Sequence, residues 1–329
     1  MRSSRGGRDL GRLSGPVGLA CLALLPVMLG ARTYLLQTLT HALLFATLAL
    51  SWGILRFSGP VSFGHAAFFG TGAYAAALAA TALGLSPWSG LALALLVSLL
   101  VALLFGLMAL DLRGPYFSLA SLAGAEVLRS LALNWVSLTN GPAGVVGIPS
   151  LPRLPLPWPV GGPSSADYYV ILALLLIVLA AAAGLRRSRF GLAQKAAREG
   201  ERPARALGVP VFRAQLLALL TSGGAAGLCG ACYAHLVQYL EPSLAFNVML
   251  SATPMVMAMV GGPLTLLGPV AGGLALYTLN ELVLVRITTA AHGLLYGVAI
   301  MAIVLLLPRG LADLLRGPGV PWRSWQSTT

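Results

Sequence analysis

Pro87-Trp88-Ser89-Gly90-Leu91-Ala92-Leu93-Ala94-Leu95-Leu96-Val97-Ser98-Leu99-Leu100-Val101-Ala102-Leu103-Leu104-Phe105-Gly106-Leu107-Met108-Ala109-Leu110 runs without a single charge. Wound as an α-helix at about 1.5 Å per residue, it reaches roughly 36 Å, more than the ~30 Å hydrocarbon thickness of a bilayer. Further apolar runs occupy residues 14–30, 33–55, 61–84, 115–136, 168–185, 212–238, 246–263, 268–285 and 291–307. Across all 329 residues 57% are hydrophobic and 9% charged, which is more apolar surface than a water-facing domain can bury. The prediction is an all-α integral membrane protein of about ten transmembrane helices. Gly and Pro crowd the segments near 59–72 and 261–273, so these two are expected to be broken or re-entrant.

The formal charge of +12 raises the question of nucleic acid, but the basic residues are scattered between apolar runs rather than gathered on one solvated face. Their distribution instead sets an orientation. With the N-terminus inside, 17 of the 21 basic residues fall on the cytoplasmic side, including all eight between Arg186 and Arg213. Positively charged loops stay in the cytoplasm, so ten crossings with both termini cytoplasmic fit the asymmetry. The chain then divides into a cytoplasmic segment 1–13, a transmembrane domain 14–310 and a cytoplasmic tail 311–329. Arg2 to Arg12 before the run 14–30 also has the look of a signal peptide, and the length of that run favours an uncleaved first helix. Cys21, Cys229 and Cys232 all lie in apolar segments and are read as buried thiols, not as a disulfide or metal framework.

Two long connections stand out. Residues 137–167, rich in Pro and Gly and nearly uncharged, form the outer loop, and residues 186–213 form the inner one. Within the inner loop, Ala-rich residues 190–199 suit a short helix that Gly200 ends or bends. Pro203 is placed to open a second helix in its first turn, and Gly208 to stop it in a left-handed conformation. Two short helices of mixed charge make a knob suited to docking, although an ordinary solvated loop has the same composition.

No Gly-Lys-Ser/Thr phosphate loop is present, because the single lysine is Lys195 in Gln194-Lys195-Ala196, so ATP hydrolysis by that route is not expected of this chain. His41, His65, His235 and His292 lie on different segments without zinc-site spacing, and no Gly-x-Ser-x-Gly elbow occurs, so neither a metal centre nor an enzyme is implied.

Ala197-Arg198-Glu199 followed by Ala204-Arg205-Ala206-Leu207-Gly208-Val209 resembles the signature of the permeases of high-affinity branched-chain amino acid ABC importers, in particular their M-type subunit. Ser62-Phe63-Gly64-His65-Ala66-Ala67-Phe68-Phe69-Gly70-Thr71-Gly72-Ala73-Tyr74 is similar to the family's early motif. Gly114-Pro115-Tyr116-Phe117-Ser118-Leu119, Leu138-Thr139-Asn140-Gly141 with Gly147-Ile148-Pro149, Gly261-Gly262 through Gly268-Pro269, and Leu307-Pro308-Arg309-Gly310-Leu311 follow in the family's order, over roughly residues 45 to 315. The resemblance implies an ABC importer permease bundle in a bacterial inner membrane, working with a second homologous permease of H type, two ATPase subunits and a soluble substrate-binding protein. ATP is then used by the partners, and no cofactor is bound by this chain. By position, Arg198, Glu199, Ala204, Arg205, Leu207 and Gly208 become ATPase-coupling residues. Gly200 and Pro203 depart from the family's unbroken polar helix at this place.

Ionisable and polar residues inside membrane segments suggest function, which makes His65, Tyr74, Glu126 and Arg129 candidates for the translocation path. Glu126 and Arg129 also stand three apart on one helix face, as an ion pair would. Gly223, Gly227 and Gly230, with Gly268 and Gly272, form small-residue stripes suited to close helix packing. Three other functions stay open: transport of urea or short-chain amides within the same family, a secondary transporter or channel acting without an ATPase, and an intramembrane enzyme. A secondary transporter calls for midplane acidic pairs and inverted repeats, of which the sequence offers only a weak echo of Gly59-Pro60 in Gly114-Pro115.

Overall fold

A long helix, α1 (Thr33–Phe57), forms the axis of the bundle and is buried along most of its length. It is surrounded by α5 (Pro163–Arg187), α8 (Val211–Val237), α9 (Val248–Gly261) and α10 (Gly268–Leu279). On one side α8 packs against α2 (His65–Thr81) and α3 (Pro87–Ala109), and α4 (Pro115–Asn134) lies outside them with lighter contacts. Two short helices, α6 (Arg189–Glu199) and α7 (Glu201–Ala206), connect α5 to α8. This computed structural model describes residues 32–112, 114–151 and 163–284, with 25–26, 297, 301, 305, 310 and 311 as isolated positions. Apart from those isolated positions, the expected segments 14–30 and 291–307, the ends 1–13 and 312–329, and Arg113, Arg153, Arg286 and Arg309 lie outside the described residues.

Five stretches among the described residues are long and apolar enough to cross a membrane: Thr33–Phe57, Pro87–Ala109, Ala166–Arg187, Val211–Val237 and Pro242–Gly261, the last joining the short helix Pro242–Ala245 to α9 across Phe246-Asn247. Helix α3 reverses the pattern of a soluble helix. Gly90, Ala94, Ser98, Ala102 and Gly106 recur at every fourth position and are buried, whereas Leu96, Leu100, Leu104, Leu107 and Met108 point outward. Lipid is as apolar as leucine, so helices in a membrane associate through close van der Waals approach, which small residues permit. The inward face is therefore chosen by size, not by hydrophobicity.

The glycines of α8 make the same approach. A Cβ on Gly227 would overlap the Ser98 side chain of α3, and one on Gly72 of α2 would overlap the Gly227 backbone. Gly223 faces Ala102 and Phe68, and Gly230 faces the Phe69 carbonyl. Gly268 and Gly272 lie against the backbone of Met257, Gly261 and Gly262, so both stripes are spent on contacts inside this chain.

The segments expected over 61–84, 246–263 and 268–285 are shorter as regular helices, the first two because Gly and Pro interrupt them and the third because its winding changes at Asn280. Residues 58–64 are non-helical between α1 and α2, and Gly59, with φ +118°, takes a conformation that side chains avoid. At 17 residues, α2 spans about 26 Å and falls short of a full crossing on its own. Residues 262–267 separate α9 from α10, with Gly262 at φ +105°, and α10 widens after 12 residues into a π-turn at Asn280–Leu284.

The connection expected over 137–167 carries structure of its own. Val145–Val146 (β1) pairs antiparallel with Tyr239–Leu240 (β2), Val145 opposite Leu240, and His235 Nδ1 donates to the Pro149 carbonyl at 2.7 Å. This ties the loop across the end of α8. Helix α5 already begins at Pro163, so the last five positions assigned to the loop are helical.

Candidate coupling and translocation sites

The connection between α5 and α8 folds as a knob. Helix α6 ends at Glu199, Gly200 is extended with φ 176°, and α7 closes through Gly208, which has the left-handed φ of +78°. Pro203 sits third in α7, within its first turn as expected. Ala197, Ala204 and Val211 are buried together and lock the two helices onto the start of α8. Gln215 Nε2 donates to Glu201 Oε1 at 2.8 Å, and Gln194 Nε2 donates to the Ala214 carbonyl at 3.2 Å. The guanidinium groups of Arg186 and Arg198 lie 4.4 and 5.3 Å from the Phe57 ring centroid, so the end of α1 is clamped as well.

The six candidate coupling residues divide by exposure. Ala204 lies inside the knob and shapes it. Arg198 and Glu199 pair at 3.1 Å, and Arg205 lies 3.6 Å from Asp111 at the end of α3 and 4.0 Å from Glu201. Leu207 is 84% exposed and Leu192 is 73% exposed, large apolar side chains that protrude from an otherwise polar knob. Leu192 was not singled out from the sequence, where it reads as one more apolar residue in an Ala-rich helix.

Beneath the knob lies a cavity of about 480 Å³. Its walls bring together Gly59-Pro60, Gly114-Pro115 with Phe117 and Ser118, and Ala197, Arg198, Gly200 and Glu201, three motifs far apart in sequence. Ser118 Oγ donates to the Val61 carbonyl at 2.6 Å and joins two of them. Gly310 likewise lies against Gly261 and Gly262 and brings the last motif to the break between α9 and α10.

The four translocation candidates are not gathered at one place. His65 is fully buried at the start of α2, inside the bundle, and Nε2 lies 3.0 Å from Ser222 Oγ. Ser222 gives its one hydroxyl proton to the Ser51 carbonyl at 2.7 Å, so it accepts from His65, which fixes the Nε2–H tautomer. Around it, Ser251 Oγ accepts from Ala66 N at 2.9 Å, Ser121 Oγ from Phe63 N at 3.0 Å, and Ser62 Oγ from Gly64 N at 3.1 Å. Four serines thus satisfy the buried start of α2, where backbone groups cannot reach water. Of these four serines only Ser62 stood within a quoted motif; Ser121, Ser222 and Ser251 did not stand out, because single serines in apolar runs carry no spacing signal.

Tyr74 lies nine residues on, about 14 Å along the helix, and stacks on Phe246 with ring centroids 5.9 Å apart. Glu126 and Arg129 form a forked ion pair on α4, with Nε 2.9 Å from both carboxylate oxygens. Their side chains are 47% and 32% exposed on the outward face of that helix. Cys229 and Cys232 are buried free thiols.

A bundle of apolar helices packed through small residues, with helices broken inside it and a charged knob at one end, describes a multi-pass membrane protein. Residues 34–305 match the family described as branched-chain amino acid transport system / permease component, and the chain belongs to that family. It is similar to the high-affinity branched-chain amino acid transport system permease protein LivM of Salmonella typhimurium strain LT2, at 29% identity over 322 residues, covering 92% of this chain and 75% of the relative. It is similar also to LivM of Escherichia coli strain K12, at 29% identity over 311 residues, covering 88% and 72%.

Proposed function

We infer that this chain is the membrane-spanning permease subunit of an ATP-driven importer for branched-chain amino acids in a bacterial inner membrane. The observation that carries the reading is the family match over residues 34–305. ATP is bound and hydrolysed by two separate ATPase subunits, a second homologous permease completes the membrane unit, and a soluble binding protein delivers substrate at the outer loop. Both termini lie in the cytoplasm, with 1–13 and 311–329 flanking the transmembrane domain 14–310.

In this reading the knob is the coupling element. Arg198, Glu199 and Arg205 supply charge, and Leu207 with Gly208 presents an apolar tip to a groove on the ATPase. Ala204 keeps the two helices locked. Movement of the knob is passed on by the Gln215–Glu201 and Gln194–Ala214 bonds to α8, and from Ser222 of α8 to His65 of α2. His65 thus serves the path by linking moving helices. Tyr74 lies nearer the outer loop on the same helix, and the Glu126–Arg129 pair offers α4 a polar contact for the second permease.

The test is purification of the assembled transporter with its neighbouring gene products, followed by reconstitution in vesicles. Uptake of leucine, isoleucine and valine that requires ATP and all partners is expected. Uptake driven by an ion gradient with this chain alone would overturn the reading.

A further inference from the structure

The described residues line a second, open-sided cavity of about 400 Å³, between the middle of α1 and the N-terminal end of α9. Its floor is apolar, made by Phe45, Phe69, Leu250 and Met257. Phe45 is held by stacking on Tyr277, with ring centroids 5.2 Å apart and planes 20° from parallel. On the α10 side the wall ends at Asn280, where the helix opens into its π-turn. Asn280 Oδ1 is buried and has no hydrogen-bond partner among the described residues. No charged side chain among the described residues lines this cavity.

These features describe a ligand site. Small-molecule pockets start at about 300 Å³ and combine an apolar lining with few polar groups. A single π-turn in a helix is frequently found at a functional site. A buried acceptor without a donor is costly, so a ligand that brings a donor gains the bond nearly in full. An ammonium group is such a donor, and the aromatic and aliphatic floor removes methyl groups from water.

The geometry points to this cavity as a stopping place for a small zwitterionic amino acid with a branched aliphatic side chain. Asn280 Oδ1 accepts a hydrogen bond from its ammonium group, and Leu250 and Met257 gauge its side chain. The assignment rests on the transport reading above and adds the residues that select the cargo.

The experiment uses the complete transporter with its binding protein, in vesicles charged with ATP, and measures leucine and valine uptake. Asn280→Leu is expected to raise KM for leucine about tenfold or more, the loss of a bond to a charged group. Met257→Phe shortens the floor and is expected to shift the leucine-to-valine ratio towards valine by about tenfold, the discrimination one methylene supports. Unchanged KM and unchanged ratio in assembled, ATP-hydrolysing variants would overturn the cavity assignment and leave the transport reading standing. Absence of leucine and valine uptake by the unaltered transporter would overturn both. Enlarging the buried Met257 risks assembly, so Thr253→Cys provides a second readout, with the same transporter lacking that substitution giving the background from Cys21, Cys229 and Cys232. Leucine is expected to slow alkylation of the introduced thiol and lysine not to; equal labelling with and without leucine overturns the assignment.

Discussion

Ser222→Ala isolates what the polar interior is worth. Ser222 Oγ bonds the Ser51 carbonyl at 2.7 Å and His65 Nε2 at 3.0 Å, and His65 Nδ1 already lacks a partner among the described residues. Alanine removes both bonds. The Ser51 carbonyl lies within α1 and keeps its helical bond, so the loss there is small. His65 Nε2–H becomes an orphaned donor in a site with no exposure, which typically costs about 1–3 kcal/mol. Interhelical hydrogen bonds in a membrane protein average only about 0.6 kcal/mol and reach about 1.7, because the unfolded chain in lipid also finds partners. Full burial places this bond at the upper end, so Ser222→Ala should destabilise by about 1.5 kcal/mol. Replacing both partners, His65→Leu with Ser222→Ala, leaves no orphan and should cost less than the sum of the singles by about 1 kcal/mol. Reversible unfolding by dodecyl sulfate in mixed micelles, followed by circular dichroism, gives all four stabilities. Additivity within about 0.3 kcal/mol would refute the view that α2 and α8 are joined through this pair.

Three further expectations follow from the same geometry. Gly227→Leu should strongly reduce folded protein in the membrane, since overpacking costs about 1–3 kcal/mol or more, whereas Gly184→Ala meets open space and should be neutral or stabilising by up to about 1 kcal/mol; membrane abundance and thermal melting compare the two. Glu199→Ala with Arg205→Ala breaks half-exposed pairs and should change stability by less than about 1 kcal/mol, yet release the ATPase and abolish uptake, and normal uptake by an intact complex would make the knob an ordinary connection. Reporter fusions at Ser188 and Gly147 should report opposite sides of the membrane, cytoplasmic for Ser188, and a periplasmic Ser188 would reverse the proposed orientation.

The membrane character of the chain was legible from residues 87–110 alone, because the length and apolarity of one helix are properties of consecutive residues. The breaks near Gly59 and Gly262 were legible too, since Gly and Pro act on the backbone where they stand. So was the left-handed stop at Gly208, and so were the close-packing glycines of α8, because a four-residue spacing defines one helix face before any partner is known. What the sequence could not place were the partners across space. The Gly59-Pro60, Gly114-Pro115 and Arg198 motifs line one cavity only because α6 and α7 fold back under the ends of α1 and α3. Likewise Ser51, Ser222 and Ser251 come from three helices to serve the start of α2, and nothing in their own neighbourhoods distinguishes them from other serines. Tertiary structure also separated Tyr74 and the Glu126–Arg129 pair from His65, and joined Phe45, Met257, Tyr277 and Asn280 into a cavity. Local conformation depends on steric and hydrogen-bond preferences within a few residues, which a sequence displays directly. The meeting of side chains 50 to 200 positions apart depends on how whole helices cross, and that is decided by the summed fit of small and large residues along every contact at once.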